Sequence, residues 1–148
     1  MPGDRLFLKL EGIEGEVTET GHTGELALRS FSLALDRPSD SSKAHLTSFH
    51  VVMGADKATP LLMRKTVTRE QISKVVLVMR NALGQDYMKW TLTDTIVTAF
   101  KVNGNAGQIK PELSFDLESN KVDVEYRPQL YSGGLGPAVK GAWDGKVQ

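Results

Sequence analysis

Cysteine is absent from the 148-residue sequence, which excludes disulfides, thiolate catalysis and Cys-based zinc sites and leaves the redox compartment open. An excess of charge of either sign is missing too, because eighteen Lys plus Arg balance eighteen Asp plus Glu. Nucleic-acid binders ordinarily carry a basic surplus that displaces counterions from phosphates, so no nucleic-acid partner is expected. A net charge near zero also removes the long-range repulsion that holds copies apart, which permits self-association. Nor is there an apolar run of signal-peptide or transmembrane length, since Met1-Pro2-Gly3-Asp4-Arg5 leads straight into alternating residues. The expectation is a cytoplasmic product with no direct membrane insertion, whose export would need a route other than a classical signal peptide.

What is present is an ordinary globular composition, 40% hydrophobic and 24% charged, in a length that fits one domain over residues 1–148. Period-two alternation dominates it. Leu6, Leu8 and Leu10 share one face of a strand. From Glu25 to Leu35 the apolar phase switches between Leu26/Leu28 and Phe31/Leu33/Leu35, the signature of a β-bulge. Leu46 to Val52 reads as a further strand. Val75-Val76-Leu77-Val78-Met79 is a continuous apolar run, as in a strand buried on both faces. Tyr87 to Val102 carries Met88, Trp90, Leu92, Ile96, Phe100 and Val102 on even positions, interrupted by Asp94 and Thr98. Ile109, Leu113, Phe115 and Leu117 repeat the pattern, and so do Val122, Val124 and Tyr126, with a turn expected at Ser119-Asn120.

One stretch reads as a helix, about two turns long, with Thr59 as its cap, Pro60 in the first turn and Leu61, Leu62 and Met63 behind it. So short a helix must dock on a sheet. Many short strands and one helix imply a mainly β protein, two β-sheets closed into a barrel or sandwich with the helix packed against it.

Catalytic and cofactor chemistry finds little purchase. His22, His45 and His50 lack metal-site spacing and read as solvated or hydrogen-bonded surface residues. Ser48, His50 and Asp94 could form a notional triad, but no strained nucleophile turn accompanies them. The glycine-rich stretches Asn103–Gly107 and Gly133–Pro137 lack the Lys-Ser/Thr pair of a phosphate loop. Asp123 and Glu125 read as a solvated strand face. Asp94, on an otherwise apolar face, marks either a bulge or a polar contact with the docked helix. No catalytic residue, cofactor or metal is assigned.

Taken in order, several segments resemble the hemolysin-coregulated protein family, Hcp. Leu6-Phe7-Leu8-Lys9-Leu10-Glu11-Gly12-Ile13-Glu14-Gly15-Glu16 is similar to the family's opening strand, and His22-Thr23-Gly24-Glu25-Leu26 to the segment that follows. Asp56-Lys57-Ala58-Thr59-Pro60-Leu61-Leu62 resembles its approach to a single helix. Val122-Asp123-Val124-Glu125-Tyr126-Arg127-Pro128-Gln129 resembles its penultimate strand, and Gly141-Ala142-Trp143-Asp144 its closing one. Two departures stand out: Asp36 to Leu46 lacks the family's glycine-rich loop, and Val67 to Gln71 lacks its glycine after the helix.

The resemblance implies a non-enzymatic subunit of a bacterial type VI secretion system. Such subunits form hexameric rings that stack into an inner tube, work with a spike protein, a contractile sheath and small effectors, and leave the cell without a signal peptide. A fused toxin domain would find no room after the last strand. The outward rows Lys121, Asp123, Glu125, Arg127 and Lys110, Glu112 are then candidate subunit-interface residues. Asp36, Arg37, Ser39, Asp40 and Lys43 are candidates for a ring-stacking loop. Two other readings stay open: a monomeric ligand-binding barrel with Trp90 and Phe100 lining its cavity, and a phage-type tail-tube subunit. An enzyme on the same scaffold would need a catalytic constellation that the residues do not offer.

Overall fold

In the computed structural model, residues 4–40 and 43–145 are described. The elements run β1 (Arg5–Leu10), β2 (Leu26–Asp36), β3 (His45–Gly54), α1 (Thr59–Thr68), β4 (Ile72–Arg80), β5 (Asp86–Asn103), β6 (Glu112–Tyr126) and β7 (Val139–Asp144). The strands lie in the order β3-β2-β1-β4-β5-β6-β7, and a further pairing of β3 with β6 closes the circuit. Every pairing is antiparallel. The expected barrel is present as a ring of hydrogen-bonded strands, with β7 attached outside the circuit on β6.

Strand β6 makes this possible because one of its edges serves two partners. Its first part, Glu112–Asp116, pairs with Gly54–His50 and closes the barrel. Its second part, Lys121–Tyr126, pairs with Asp144–Val139 of β7. The turn expected at Ser119-Asn120 is therefore absent, and the chain runs through it as one 15-residue strand. Ser119 is buried, its Oγ 2.8 Å from the Thr93 carbonyl and 2.9 Å from that of Lys121. A residue that prefers turns is held extended by bonding to strand carbonyls. Ile109, expected on a strand, lies in the loop before β6 and is 98% exposed.

The phase changes have their physical causes on view. In β2 the register jumps between Leu28 and Ser30, so the expected bulge falls at Arg29. In β5, Asp94 takes a left-handed backbone with φ 53°. Leu92 is buried before it, whereas Thr95 and Val97 are buried after it. Asp94 thus switches which side chains face inward, and a second irregularity between Val97 and Ala99 follows. The even-numbered pattern read from the sequence holds up to Leu92, lapses after Asp94 and returns at Phe100, which packs against the core.

The core is filled by Leu8, Leu10, Leu26, Phe49, Val51, Met53, Leu77, Leu92, Leu113 and Phe115, all with 1% exposure or less. Burying each such side chain contributes about 1.5–3 kcal/mol. Trp90 and Phe100 pack against this cluster, so they fill the interior. Helix α1 covers part of it, contacting β5 and burying Leu62 and Ala58. It is ten residues long, and its N-cap is Ala58, which makes no side-chain cap. Asp56 organises the turn instead: its Oδ1 accepts from Ala58 N–H at 2.8 Å, and its N–H donates to the Thr59 hydroxyl at 3.1 Å. At the other end Arg69 adopts the left-handed position, φ 59°, that a glycine would ordinarily occupy.

Candidate assembly surfaces

The six interface candidates separate into two groups. Lys121, Asp123 and Glu125 stand on one face of β6, beyond the point where β3 leaves it. Register places Thr93, Thr91 and Lys89 of β5 beside them on one side, and Asp144, Ala142 and Lys140 of β7 on the other. Glu125 Oε1 lies 3.8 Å from Lys140 Nζ, and its Oε2 lies 3.6 Å from Arg127 Nε. A shallow notch of about 230 Å³ opens there, lined by Lys89, Thr91, Asp123, Glu125, Lys140 and Gly141. These distances are long for ion pairs, and exposed pairs contribute at most about 1 kcal/mol. These pairs therefore add little to the stability of the fold.

Lys110 and Glu112 lie at the other end of β6. Glu112 Oε2 is 3.3 Å from Arg29 Nη1, at the β2 bulge, and Lys110 Nζ is 3.8 Å from Glu16 Oε1. The two rows read from the sequence thus stand at opposite ends of β6.

The stacking-loop candidates form the tip of an arm. β2 meets β1 only over Leu26–Leu28, and β3 meets β6 only from His50 onward. The rest of β2 and β3 is a two-stranded ribbon, Leu33–Asp36 against His45–Phe49. Asp36 ends β2 opposite His45, and Arg37, Ser39, Asp40 and Lys43 follow as exposed residues. Ser41 and Ser42 of that loop lie outside the described residues. A bond of 3.1 Å from Trp143 Nε1 to the carbonyl of Ala44, next to the outermost pair Asp36 and His45, ties the tip end of the arm to β7.

One constellation was not legible in the sequence. His22, expected at the surface, is 4% exposed. Its ring stacks on Phe7 with centroids 4.3 Å apart and planes at 10°. Its Nδ1 lies 2.8 Å from Glu25 Oε1, and its Nε2 lies 3.1 Å from Asp86 Oδ2. Arg80 donates to Asp86 at 2.6 Å, to Glu19 at 2.7 Å and to the Thr20 carbonyl at 3.0 Å. Arg5 adds a contact to Glu19 at 3.1 Å.

The hydrogen bond to Asp86 is the largest influence raising the Arg80 pKa, with Glu19 adding to it against the opposing effect of burial. For Asp86, burial pushes the carboxyl up, but the bond from Arg80 and the charge and bond of His22 together hold it below its usual value. The network clips the segment between β1 and β2 over the outer face of the barrel, where Phe7 and Val78 are buried beneath it. The available signal was the odd-phase Phe7 in an even-phase strand, which needs a cover of its own.

His50 Nδ1 bonds Asp116, across the β3–β6 pairing, in place of the Asp94 of the notional triad. Among the described residues no group of three or more His, Asp and Glu side chains is placed to hold a metal ion, and no helix is long and apolar enough to cross a membrane. The hollows of the surface, from about 230 to 430 Å³, are open and edged by charged residues, while the barrel interior is packed.

These features define a closed, filled β-barrel that spends its polar surface on an arm, an added edge strand and charged strand faces. Residues 7–126 match the family described as "Type VI secretion system effector, Hcp", and the chain belongs to that family. Its fold is that of solved members. Hcp1 from Salmonella typhimurium is 27% identical over 98% of this chain and 97% of its own, with a TM-score of 0.87. Hcp2 from the same organism is 27% identical over 97% of each chain, at 0.78. A type VI secretion system effector from Yersinia pestis, 24% identical over 94% of this chain and 98% of its own, superposes at 0.80. No curated protein matches the chain in sequence.

Proposed function

We propose that this chain is a structural, non-enzymatic subunit that closes into homohexameric rings and stacks into the inner tube of a type VI secretion system. The spike protein, the contractile sheath and small effectors of that system are its partners. The protein is made in the bacterial cytoplasm and exported through the system without a signal peptide. Family membership over residues 7–126 carries the reading, and an interior filled by Phe49, Phe115 and aliphatic side chains is in keeping with a structural role. A ring needs heterologous contacts, in which one patch meets a different patch on the neighbour. In this reading the Lys121/Asp123/Glu125/Arg127 row and the Lys110/Glu112 patch lie at the subunit interface, where mixed charges set register more than affinity. The Asp36–Lys43 tip contacts the next ring.

Multi-angle light scattering with negative-stain imaging of the same peak tests the assembly. Six-fold rings are the expected outcome. A clean monomer across the micromolar range, with no rings at high concentration, overturns the proposal. Charge reversal at Glu125 and Arg127 together is expected to lower ring yield, and unchanged ring size and yield would remove that row from the interface.

A further inference from the structure

The segment between β1 and β2 is fastened to the barrel by side chains. Within residues 15–25 the backbone pairs with itself: Gly15 N–H donates to the Gly24 carbonyl at 2.8 Å, Val17 N–H to that of Glu25 at 3.1 Å and Gly24 N–H to that of Val17 at 2.8 Å. This small loop reaches β1, β4 and β5 through Glu19, held by Arg5 and Arg80, and through His22, bonded to Asp86. At its other end Glu16 accepts from Lys57 N–H at 2.7 Å.

His22 is the member of this cluster whose bonding depends on a proton. Its Nδ1 faces Glu25 and its Nε2 faces Asp86. Ionised carboxylates only accept, and a neutral imidazole carries a single N–H. Both contacts are hydrogen bonds only when the ring carries two protons, because a neutral ring sets one lone pair against a carboxylate oxygen. Asp86 is ionised: Arg80 donates to both of its oxygens, at 2.6 and 3.3 Å. Against the upward push of burial, Arg80 and His22 hold that carboxyl below its usual value. The charges agree. Glu19, Glu25 and Asp86 bring three negative charges and Arg5 and Arg80 two positive ones, so the imidazolium completes the balance. Among the other groups edging the hollow beside His22, Lys89 of β5 and Glu125 of β6 offset each other. Burial raises the pKa of Tyr87, so its hydroxyl stays neutral. Phe7 of β1 covers one face of the ring.

We propose that His22 is a proton-operated latch: its imidazolium fastens residues 15–25 over the β1–β4–β5 face, and loss of one proton releases them. The fastening is complete while the ring is cationic and is lost as pH rises and the ring gives up that proton. Carboxylates and guanidinium groups keep their charge over the range in which imidazoles titrate. Release uncovers Phe7 and Val78, which are buried beneath the loop, and leaves the strand circuit of the barrel paired. A hydrogen bond to a charged group shifts an equilibrium by about ten- to a hundredfold, and opening should increase by that factor. The latch belongs to the single chain and goes beyond the assembly reading.

The cysteine-free sequence allows a direct test, since Val78→Cys in the full-length protein places one thiol under the loop. Its rate of modification by a small maleimide is divided by the rate of the same variant unfolded in urea at the same pH, which cancels the ionisation of the thiol. Protection is expected to fall about ten- to a hundredfold between about pH 6 and about pH 9, with assembly state matched by light scattering. Glu25→Gln in that chain should stay protected at both pH values, because its amide donates to an unprotonated Nδ1 and its carbonyl accepts from a protonated one. His22→Gln should be less protected at the lower pH and indifferent to pH, whereas His50→Gln should keep the fall. Equal protection of the Val78→Cys chain at the two pH values would overturn the latch, and so would an undiminished fall in Glu25→Gln. If Val78→Cys disturbs the fold, hydrogen exchange of residues 15–25 in the chain with its natural Val78, corrected for the intrinsic effect of pH, reads the same contrast between the parent and Glu25→Gln.

Discussion

Leu62 is the one helical side chain that the fold swallows whole among hydrophobic residues of the helix proper, at 0% exposure against β5's side of the core. A ten-residue helix is too short to persist on its own in water, so its tertiary contacts decide whether it forms. Leu62→Ala removes about 2.7–5.0 kcal/mol in fully buried settings, and the lower end applies where a surface helix can settle into the gap. Taking about 3 kcal/mol, and about 2–4 °C per kcal/mol for a domain of this size, the midpoint should fall by about 6–12 °C. The control is Met63→Ala on the neighbouring helix position, 55% exposed, expected within about 0.5 kcal/mol of the parent. Thermal unfolding followed by circular dichroism reads both variants. Subunit concentration must be equal, because assembly stabilises the folded chain by mass action. Equal shifts for Leu62→Ala and Met63→Ala would refute the reasoning that this one side chain docks the helix.

Three further outcomes follow from the same geometry. Arg69 holds a left-handed conformation at φ 59°, which costs a non-glycine residue about 1–2 kcal/mol, partly offset by the greater unfolded-state entropy of glycine. Arg69→Gly should therefore stabilise the protein by about 0.5–1 kcal/mol in urea titration, and a loss would contradict the strain. A Cβ on Gly15 would meet the Glu25 carbonyl oxygen at 2.5 Å, so Gly15→Ala should force that backbone apart and lower the melting midpoint by several degrees. Asp86 has its pKa held below the usual value in the folded state. The stability it adds is present above the unfolded value of about 3.9 and disappears as pH falls through the lower folded value. Asp86→Asn should thus be less stable than the parent at neutral pH, with the gap narrowing below about pH 4, and a gap independent of pH would refute the assignment.

The strand inventory and the barrel were legible in the sequence because both rest on local periodicity. Alternating Leu6, Leu8 and Leu10, the phase switch before Phe31 and the proline-led helix each report on a few neighbouring residues, and each is found in the structure. The family was legible because short segments kept their order along the chain. Two errors share one cause. Ser119 and Asn120 have turn preferences, yet neighbouring strands on both sides supply Ser119 with carbonyl partners and hold it extended. His22 reads as a surface residue until Phe7 and Asp86, distant in sequence, come beneath and beside it.

What the sequence by itself determined is the alternation that makes strands, the balance of charge and the absence of thiol chemistry, all properties of single residues and near neighbours. Only the tertiary structure decided where β6 changes partners, how far apart its two charged rows stand, and which stretches of β2, β3, β5 and β7 lack a second strand partner among the described residues. Those outcomes depend on strand tilt and closure. Closure pairs β3 with the first half of β6 and leaves the second half free for β7, a choice that emerges only when all strands compete for the same hydrogen-bonding edges.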